Sequence, residues 1–223
     1  MKTTEFIALF RENKNPEKQK QMEQYMRNQF TFLGLQASER RALAKKFLND
    51  LTQETWQTGI DWAVIYLLWE LPEREFQLTA LDYLRRVEKL LVPEDLPHLQ
   101  QLVLTKSWWD TIDTLARYFG VLVQKEPQLL GEMKIWSVAE NRWMRLIAIL
   151  HQLRYKEATN TDLLRNIILA NIDDEDFFIR KAIGWALREY AKTDEKWVRD
   201  FVFSFHNELS TLSYREATKN IIM

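Results

Sequence analysis

The chain has 223 residues, of which 46% are hydrophobic and 28% charged, with a formal net charge of -1 and no cysteine. The lack of cysteine excludes disulfides, thiolate zinc sites and a cysteine nucleophile. Five glycines and five prolines are too few turn formers for a sandwich or barrel of many short strands, so a helical protein fits better.

Apolar residues at three- and four-residue steps predict helices along almost the whole chain. The first predicted helix begins at Thr3 or Thr4 and the second at Pro16. Three helices follow at 38–51, 53–71 and 73–91, and another begins at Pro93. The remaining predicted helices cover 106–123, 127–139, 141–155, 162–171, 175–192, 195–207 and 213–223.

Short connections between helices of this length favour antiparallel neighbours, which can pack as a bundle or as a solenoid. The spacing of Trp69, Trp109, Trp143 and Trp185 is near ~40 residues, close to the period of HEAT-like helix pairs, and favours the solenoid. We therefore expect one all-α HEAT-like repeat domain over residues 1–223, with a concave binding face.

The segment 105–113 reads Thr-Lys-Ser-Trp-Trp-Asp-Thr-Ile-Asp and is the most informative stretch. At roughly 100° per residue, Trp108 belongs to the core-facing stripe, whereas Trp109 is turned away from it. Asp113 lies one turn beyond Trp109, on a polar side that also carries Lys106. These residues are predicted to form a site, although pairing of Asp113 with Arg117 in a packed helix is an equally good interpretation.

The segment 178–190 predicts a second functional face. Lys181, Gly184, Trp185 and Arg188 recur on one side of a helix, so a tryptophan lies among cations. Such a face suits the phosphates and sugars of nucleic acid. A half-buried tryptophan covered by the stems of basic side chains is the structural alternative.

Two other stretches contribute candidates. Arg142 and Arg145 share the side of a helix opposite Trp143, where they are either phosphate contacts or solvated charges. Tyr25 is compatible with a core or a groove position.

Several kinds of site are not expected. The apolar run from Phe6 to Phe10 is too short for the core of a signal peptide, and no apolar stretch reaches membrane-spanning length, so we expect a cytoplasmic protein without a membrane partner. His98, His151 and His206 form no metal-ligand motif, and the chain has neither a glycine-rich phosphate loop nor a nucleophile elbow. Neither a metal nor a cofactor is therefore predicted.

The chain resembles the AlkD-type bacterial DNA glycosylases, HEAT-like repeat proteins that remove alkylated purines. The resemblance rests on separated blocks that span nearly the whole chain: Asn-Pro-Glu-Lys at 15–18, Tyr-Met-Arg-Asn at 25–28 with Phe-Leu-Gly at 32–34, Leu-Pro-Glu-Arg-Glu-Phe-Gln at 71–77, Thr-Lys-Ser-Trp-Trp-Asp at 105–110 with Asp113, and Ala-Ile-Gly-Trp at 182–185 with Leu-Arg-Glu-Tyr at 187–190. The Lys-Ser-Trp-Trp-Asp and Ile-Gly-Trp elements are specific in combination.

The resemblance implies that Asp113 is the catalytic carboxylate and that Trp109 and Trp185 line the sugar of the lesion. It also implies that Tyr25 and Arg188 face DNA, and we add Lys106, Arg145 and Lys181 as candidate DNA contacts. One position departs from the family, because Leu146 stands where an arginine is usual and Arg145 precedes it, turned by about 100°.

A lone carboxylate suits the reaction that the resemblance implies. A purine alkylated at N3 or N7 is cationic and leaves as a neutral base without a general acid, so the developing oxocarbenium-like sugar is what needs stabilisation. We expect a monomeric hydrolase that acts on duplex DNA containing such purines, without a deep pocket for a flipped base. The alternative is a non-catalytic HEAT-like adaptor that binds DNA or protein.

Overall fold

The computed structural model describes residues 1–221, and the regular elements in that range are all helices, which confirms the predicted all-α class. The described residues group into two compact units, Met1–Leu91 and a second that begins at Val92. The first unit contains α1 (Thr3–Glu12), α2 (Pro16–Tyr25), α3 (Ala37–Thr58), α4 (Trp62–Glu70) and α5 (Arg74–Val87).

The core of the first unit is built from phenylalanines. Phe6 on α1 stacks on Phe47 of α3, with ring centroids 4.3 Å apart, and Phe10 stacks on Phe76 of α5 at 5.4 Å. All four rings are at most 2% exposed. Helices α1, α3 and α5 are thus joined by their apolar faces, as amphipathic helices require.

A buried carboxylate organises the loop between α2 and α3. The oxygens of Glu75 accept backbone N–H groups of Leu33, Gly34 and Leu35 at 2.9–3.0 Å. Burial raises the pKa of Glu75, and the backbone donors oppose that rise. Gly34 has φ +87, and a Cβ there would lie 2.1 Å from the carbonyl oxygen of Asn15, so this tight loop requires glycine.

The second unit contains α6 (Leu96–Leu104), α7 (Trp109–Lys125), α8 (Leu130–Trp136), α9 (Arg142–Leu150), α10 (Thr161–Leu169), α11 (Phe177–Tyr190), α12 (Glu195–Ser204) and α13 (Thr211–Thr218). Helix α7 packs on α9, α9 on α11, and α11 on α13, so these four form one row. The remaining helices flank the row: α6 contacts α7 and α9, α8 and α10 contact α9, and α12 contacts α11 and α13.

Two glycines allow close approach of helices within the row. A Cβ on Gly120 of α7 would lie 2.2 Å from the carbonyl oxygen of His151, just after α9. A Cβ on Gly184 of α11 would lie 2.8 Å from the carbonyl oxygen of Ser213 and 2.5 Å from Cβ of Glu216, both on α13. Neither position can hold a side chain without moving its neighbour.

Several predicted boundaries were wrong. The break predicted between residues 51 and 53 does not exist, because α3 continues to Thr58 and ends at Gly59, which has φ +86. The helix predicted from residue 106 begins at Trp109 instead, because Lys106 has φ +49 and Trp108 is extended. The final helix ends at Thr218, and the part of that prediction on residues 222–223 lies outside the described residues.

None of the helices in the described part of the chain is both long and apolar enough to cross a membrane.

Candidate active site

Helix α7 places Trp109 and Asp113 one turn apart at its N-terminal end. Its rotation is fixed by Ile112, Leu115 and Phe119, which are fully buried as predicted. Trp109 and Asp113 lie outside this stripe and are half-buried. The indole and the carboxylate therefore both reach the edge of the protein, where a ligand can contact them.

Asp113 is electrostatically unusual. Among residues 1–221, its carboxylate has neither a hydrogen-bond donor nor an ion-pair partner, so the predicted alternative of pairing with Arg117 is not observed. Burial raises the pKa of Asp113 to about 7, and the negative charge of Asp110 adds to the rise. A carboxylate that is costly to ionise and has no partner in the fold is typical of a functional group.

An aromatic cluster supports the start of α7. The ring of Trp108 lies 5.9 Å from that of Trp143 on α9 and 5.3 Å from that of Phe178 on α11. The guanidinium of Arg142 lies 4.7 Å from the Trp143 ring. Because these residues begin their helices, the N-terminal ends of α7, α9 and α11 meet at one edge of the row. Trp109 is the residue directly after Trp108, so this cluster fixes the position of its backbone.

Arg142 and Arg145 both form ion pairs within the fold. Arg142 pairs with Asp176 and Arg145 with Asp174, each at 2.8 Å. Arg145 also donates to the carbonyl oxygens of Ala139 and Glu140. The aspartates belong to the acidic turn before α11, so the arginines join that turn to α9.

Lys181 and Arg188 share one carboxylate. Glu216 on α13 accepts from the ammonium of Lys181 at 2.7 Å and from the guanidinium of Arg188. Glu216 is only 8% exposed, and hydrogen bonding to Lys181, followed by Arg188, lowers its pKa. Lys181 and Arg188, two of the predicted DNA contacts, therefore lie together. Glu216 reduces the net charge of this group from +2 to +1.

Trp185 lies on the same helix, between Lys181 and Arg188 in sequence, and is half-buried. It lines a cavity of about 660 Å³ between the C-terminal parts of α9 and α11. The N-terminal ends of α7 and α11 meet, and with a rise of about 1.5 Å per residue Asp113 lies about 6 Å, and Trp185 about 12 Å, along its helix from the first helical residue.

Tyr25 and Lys106 complete the predicted set. Tyr25 ends α2 in the first unit and is 71% exposed. Lys106 is half-buried in a left-handed conformation three residues before α7, so it does not share the polar face of that helix.

Sequence reasoning missed Glu216, Asp174 and Asp176 as partners of the site cations. The acidic run at 173–176 directly before a helix was a visible signal for the two aspartates. Glu216 gave no such signal, because its partners lie 28 and 35 residues earlier. Within the described part of the chain, no group of histidine, aspartate and glutamate side chains has the arrangement of a metal site.

A comparison with known protein families identifies where the chain belongs. A model of the family described as DNA alkylation repair enzyme matches residues 6–221. The chain belongs to this family.

Solved structures include two similar proteins. A protein from Enterococcus faecalis that carries the name predicted DNA alkylation repair enzyme is 35% identical, with a TM-score of 0.84 over 93% of this chain and 96% of its own. The protein smu.31 from Streptococcus mutans UA159 is 19% identical, with a TM-score of 0.60 over 82% of this chain and 98% of its own, and shows the fold alone. Among curated proteins, no relative matches the chain.

In this member of the family, Leu146 is a core residue. It is 2% exposed on α9, among Ile147, Ala148 and Ile149, which are equally buried. A charged side chain at this position would be buried at high cost unless it found a partner. The neighbouring guanidinium of Arg145 already has three oxygen partners, so a contact with a phosphate would require it to leave Asp174.

Proposed function

We propose that the chain is a DNA glycosylase that hydrolyses the N-glycosidic bond of cationic N3- or N7-alkylated purines in duplex DNA. The observation that carries the proposal is the half-buried carboxylate of Asp113, which has no partner among residues 1–221 and lies one turn from the indole of Trp109. A purely structural helix gains no stability from such a carboxylate, whereas a cationic ligand would be stabilised by it.

The mechanism assigns each group a separate part. Asp113 opposes the positive charge that develops on the sugar as the glycosidic bond lengthens, and it orients the attacking water. The face of the Trp109 ring and that of Trp185 contact the same cationic sugar. The alkylated purine departs as a neutral base, so no general acid is required.

The raised pKa of Asp113 is compatible with its proposed role of stabilising the cationic sugar. At neutral pH the free protein holds a mixture of the acid and the carboxylate, since the pKa is about 7. A cationic purine favours the ionised form and lowers the pKa in the complex. The free-energy cost of desolvating the carboxylate is therefore offset only when the damaged nucleotide is bound. Binding of the lesion is thus favoured over binding of normal DNA.

Tyr25, Lys106, Arg145, Lys181 and Arg188 are proposed to contact the DNA backbone. Because Lys181, Arg188 and Arg145 have carboxylate partners in the free protein, phosphates would have to compete with those carboxylates. We further propose that the chain works as one HEAT-like solenoid domain with a concave DNA-binding face, as a monomer in the cytoplasm and as part of base excision repair.

The test is the release of 3-methyladenine and 7-methylguanine from alkylated duplex DNA by the native protein and by Asp113→Asn. We expect the variant to lose about 10²-fold or more of the excision rate and to bind duplex DNA as tightly as the native protein. Equal release by both proteins would refute the part given to Asp113. Binding to duplex DNA without release by either would favour the adaptor.

A further inference from the structure

Helix α2 of the first unit buries none of its ten residues. A helix of a globular protein normally packs an apolar face on the core, so a helix that is polar all round is not held by burial. Polar contacts hold α2 instead: Asn15 accepts the backbone N–H of Lys18 at 3.1 Å, and the ammonium of Lys18 pairs with Glu39 of α3 at 2.7 Å. The helix therefore has a fixed position although it adds no buried residue to the core.

The inner side of α2 is fixed by a carboxylate. Glu23 accepts the backbone N–H of Phe32 at 3.1 Å and the side-chain N–H of Gln19 at 2.9 Å. These contacts set the rotation of the helix about its axis. The exposed residues in its C-terminal half and in the turn that follows include Lys20, Gln24, Tyr25 and Arg27.

The charge of this exposed side is positive. Lys20 and Arg27 are exposed, and their side chains form no hydrogen bond or ion pair within residues 1–221. The same holds for Lys14, directly before the cap of α2. Of the two carboxylates on the helix, Glu23 is bound on the inner side, so Glu17 is the exposed one that accompanies these three cations.

The turn after α2 carries an arginine where glycine is usual. The N–H of Arg27 donates to the carbonyl oxygen of Gln24 at 3.0 Å and that of Asn28 to the carbonyl oxygen of Glu23 at 2.7 Å, a common pattern at the C-terminus of a helix. Arg27 and Asn28 both have φ +55, a conformation in which a Cβ is strained. An arginine in place of the more stable glycine indicates that its side chain has a use outside the fold.

We propose that the α2 surface, formed by Lys20, Gln24, Tyr25 and Arg27, binds the phosphate backbone of duplex DNA whether or not a lesion is present. The proposal rests on the proposed function for its ligand, and it adds three residues to the contact already proposed for Tyr25. Phosphates complement unpaired cations on a rigid face, and backbone contacts position a duplex without reading its sequence. Unlike the cations that Glu216 holds, Lys20 and Arg27 bind phosphates without competition from a carboxylate of the fold.

The experiment measures binding of undamaged duplex by the whole chain, using fluorescence anisotropy at several salt concentrations. Arg27→Gly and Lys20→Ala should each bind about tenfold more weakly at about 0.1 M salt, and each should reduce the slope of log K against log salt by about one unit. Arg27→Gly should also unfold at a higher urea concentration than the native protein, because glycine adopts the left-handed conformation without strain. An arginine with only a structural role would not combine lower affinity for DNA with higher stability.

Two variants serve as controls. Asn28→Gly relieves the neighbouring left-handed residue without removal of a charge, so it should keep the native salt slope. Lys134→Ala removes an exposed lysine of α8 that has no partner within residues 1–221, and it should change neither the affinity nor the slope.

Native affinity and a native salt slope in Arg27→Gly would overturn the proposal. If Arg27→Gly is less stable than the native protein, Lys20→Ala decides, because native affinity of that variant contradicts a phosphate contact. Binding of labelled poly-glutamate is measured in the same way. An affinity for poly-glutamate that equals the affinity for the duplex, and falls equally in Lys20→Ala, assigns the α2 surface to acidic polypeptides and overturns the choice of DNA.

The proposed function is tested separately by alkylpurine release. A protein that binds undamaged duplex through Lys20 and Arg27 but releases no alkylpurine retains the α2 surface and lacks the glycosylase activity. A protein that releases alkylpurines, and whose duplex binding is unchanged in both variants, has the opposite outcome.

Discussion

Asp110 lies three residues before Asp113 on α7, and its negative charge adds to the burial that raises the pKa of Asp113 to about 7. Residues three apart on a helix are neighbours, so two carboxylates in this arrangement repel each other. The repulsion makes the ionisation of Asp113 depend on a neighbour that can be replaced, and this dependence can be measured.

We predict that Asp110→Asn shifts the pH dependence of excision to lower pH. In the native protein, kcat/KM should rise with pH and level off above about 7, because the ionised form of Asp113 is the active one and kcat/KM reports the free enzyme. Removal of the Asp110 charge lowers the pKa of Asp113, so the rise should come earlier. The measurement is kcat/KM for release of 7-methylguanine between pH 5 and 9, taken from single-turnover rates at enzyme concentrations below saturation and corrected for spontaneous depurination.

Glu132→Gln on α8 serves as the control, because it removes one carboxylate at a position outside α7 and should leave the midpoint unchanged. A midpoint that is the same in native protein and Asp110→Asn would contradict the coupling of the two aspartates.

We predict that Asp113→Asn stabilises the protein, and more so at high pH. The pKa of Asp113 is raised from 3.8 to about 7 on folding, so the unfolded chain loses its proton first and stability falls as pH rises between about 4 and 7. Asparagine carries no charge at any pH and avoids this loss. The variant should gain about 1–3 kcal/mol at pH 8, a figure reduced for the partial exposure of the site.

Urea unfolding of both proteins at pH 4 and pH 8 measures this effect. The gain should be small at pH 4, where the carboxyl is largely protonated in the native protein, and should reach its full size above pH 7. A gain of equal size at both pH values would show that packing of the amide, and not ionisation, is responsible. Stabilisation by loss of the proposed catalytic group is the expected trade-off at an active site.

The sequence periodicity of a single helix, α7, predicted the part of the site that lies on that helix. The step from Trp109 to Asp113, and the buried stripe that turns both outward, follow from the period of α7. The unpaired state of Asp113 was not predictable, because Arg117 stands at the correct spacing for an ion pair and only the folded chain shows that none forms. Helix periodicity places a side chain on a face but does not choose its partner.

The partners of the predicted cations depend on tertiary contacts. Arg145 meets Asp174 across 29 residues, and Arg188 meets Glu216 across 28, so neither pair appears in any local window. The end of α3 was misplaced for a different reason: Thr52 is polar, but its hydroxyl donates to the carbonyl oxygen of Leu48 within the helix, and Gly59 terminates it.

We predict opposite changes in duplex binding when either member of the Arg188–Glu216 pair is neutralised. Arg188→Ala removes a cation and should weaken binding and reduce the slope of log K against log salt by about one unit. Glu216→Gln removes the carboxylate that holds Lys181 and Arg188, so both become available to phosphates. Its binding should become tighter and its salt slope steeper by about one unit.

Anisotropy titrations with undamaged duplex at several salt concentrations measure both slopes. Lys196→Ala is the matched control, since it removes an exposed lysine that pairs with Asp200 on α12. If Glu216→Gln binds more weakly than the native protein while it remains folded, Glu216 instead orients the two cations for the phosphate, and the competition described above does not occur.

We predict that Gly120→Ala destabilises the protein, whereas Gly131→Ala does not. A Cβ on Gly120 would lie 2.2 Å from the carbonyl oxygen of His151, a backbone atom, so α7 and α9 would have to separate at a cost of about 1–3 kcal/mol or more. Around Gly131 on α8 no atom lies within 4 Å of the added Cβ, so the same change there should stabilise the helix by up to about 1 kcal/mol. The two free energies of unfolding, measured in urea, should therefore move in opposite directions from the native value.

Because Tyr155 donates to the carbonyl oxygen of Gly120, separation of the helices should also loosen the loop 153–159. Faster amide hydrogen exchange in that loop in Gly120→Ala, but not in Gly131→Ala, would connect the loss of stability to the separation of α7 and α9.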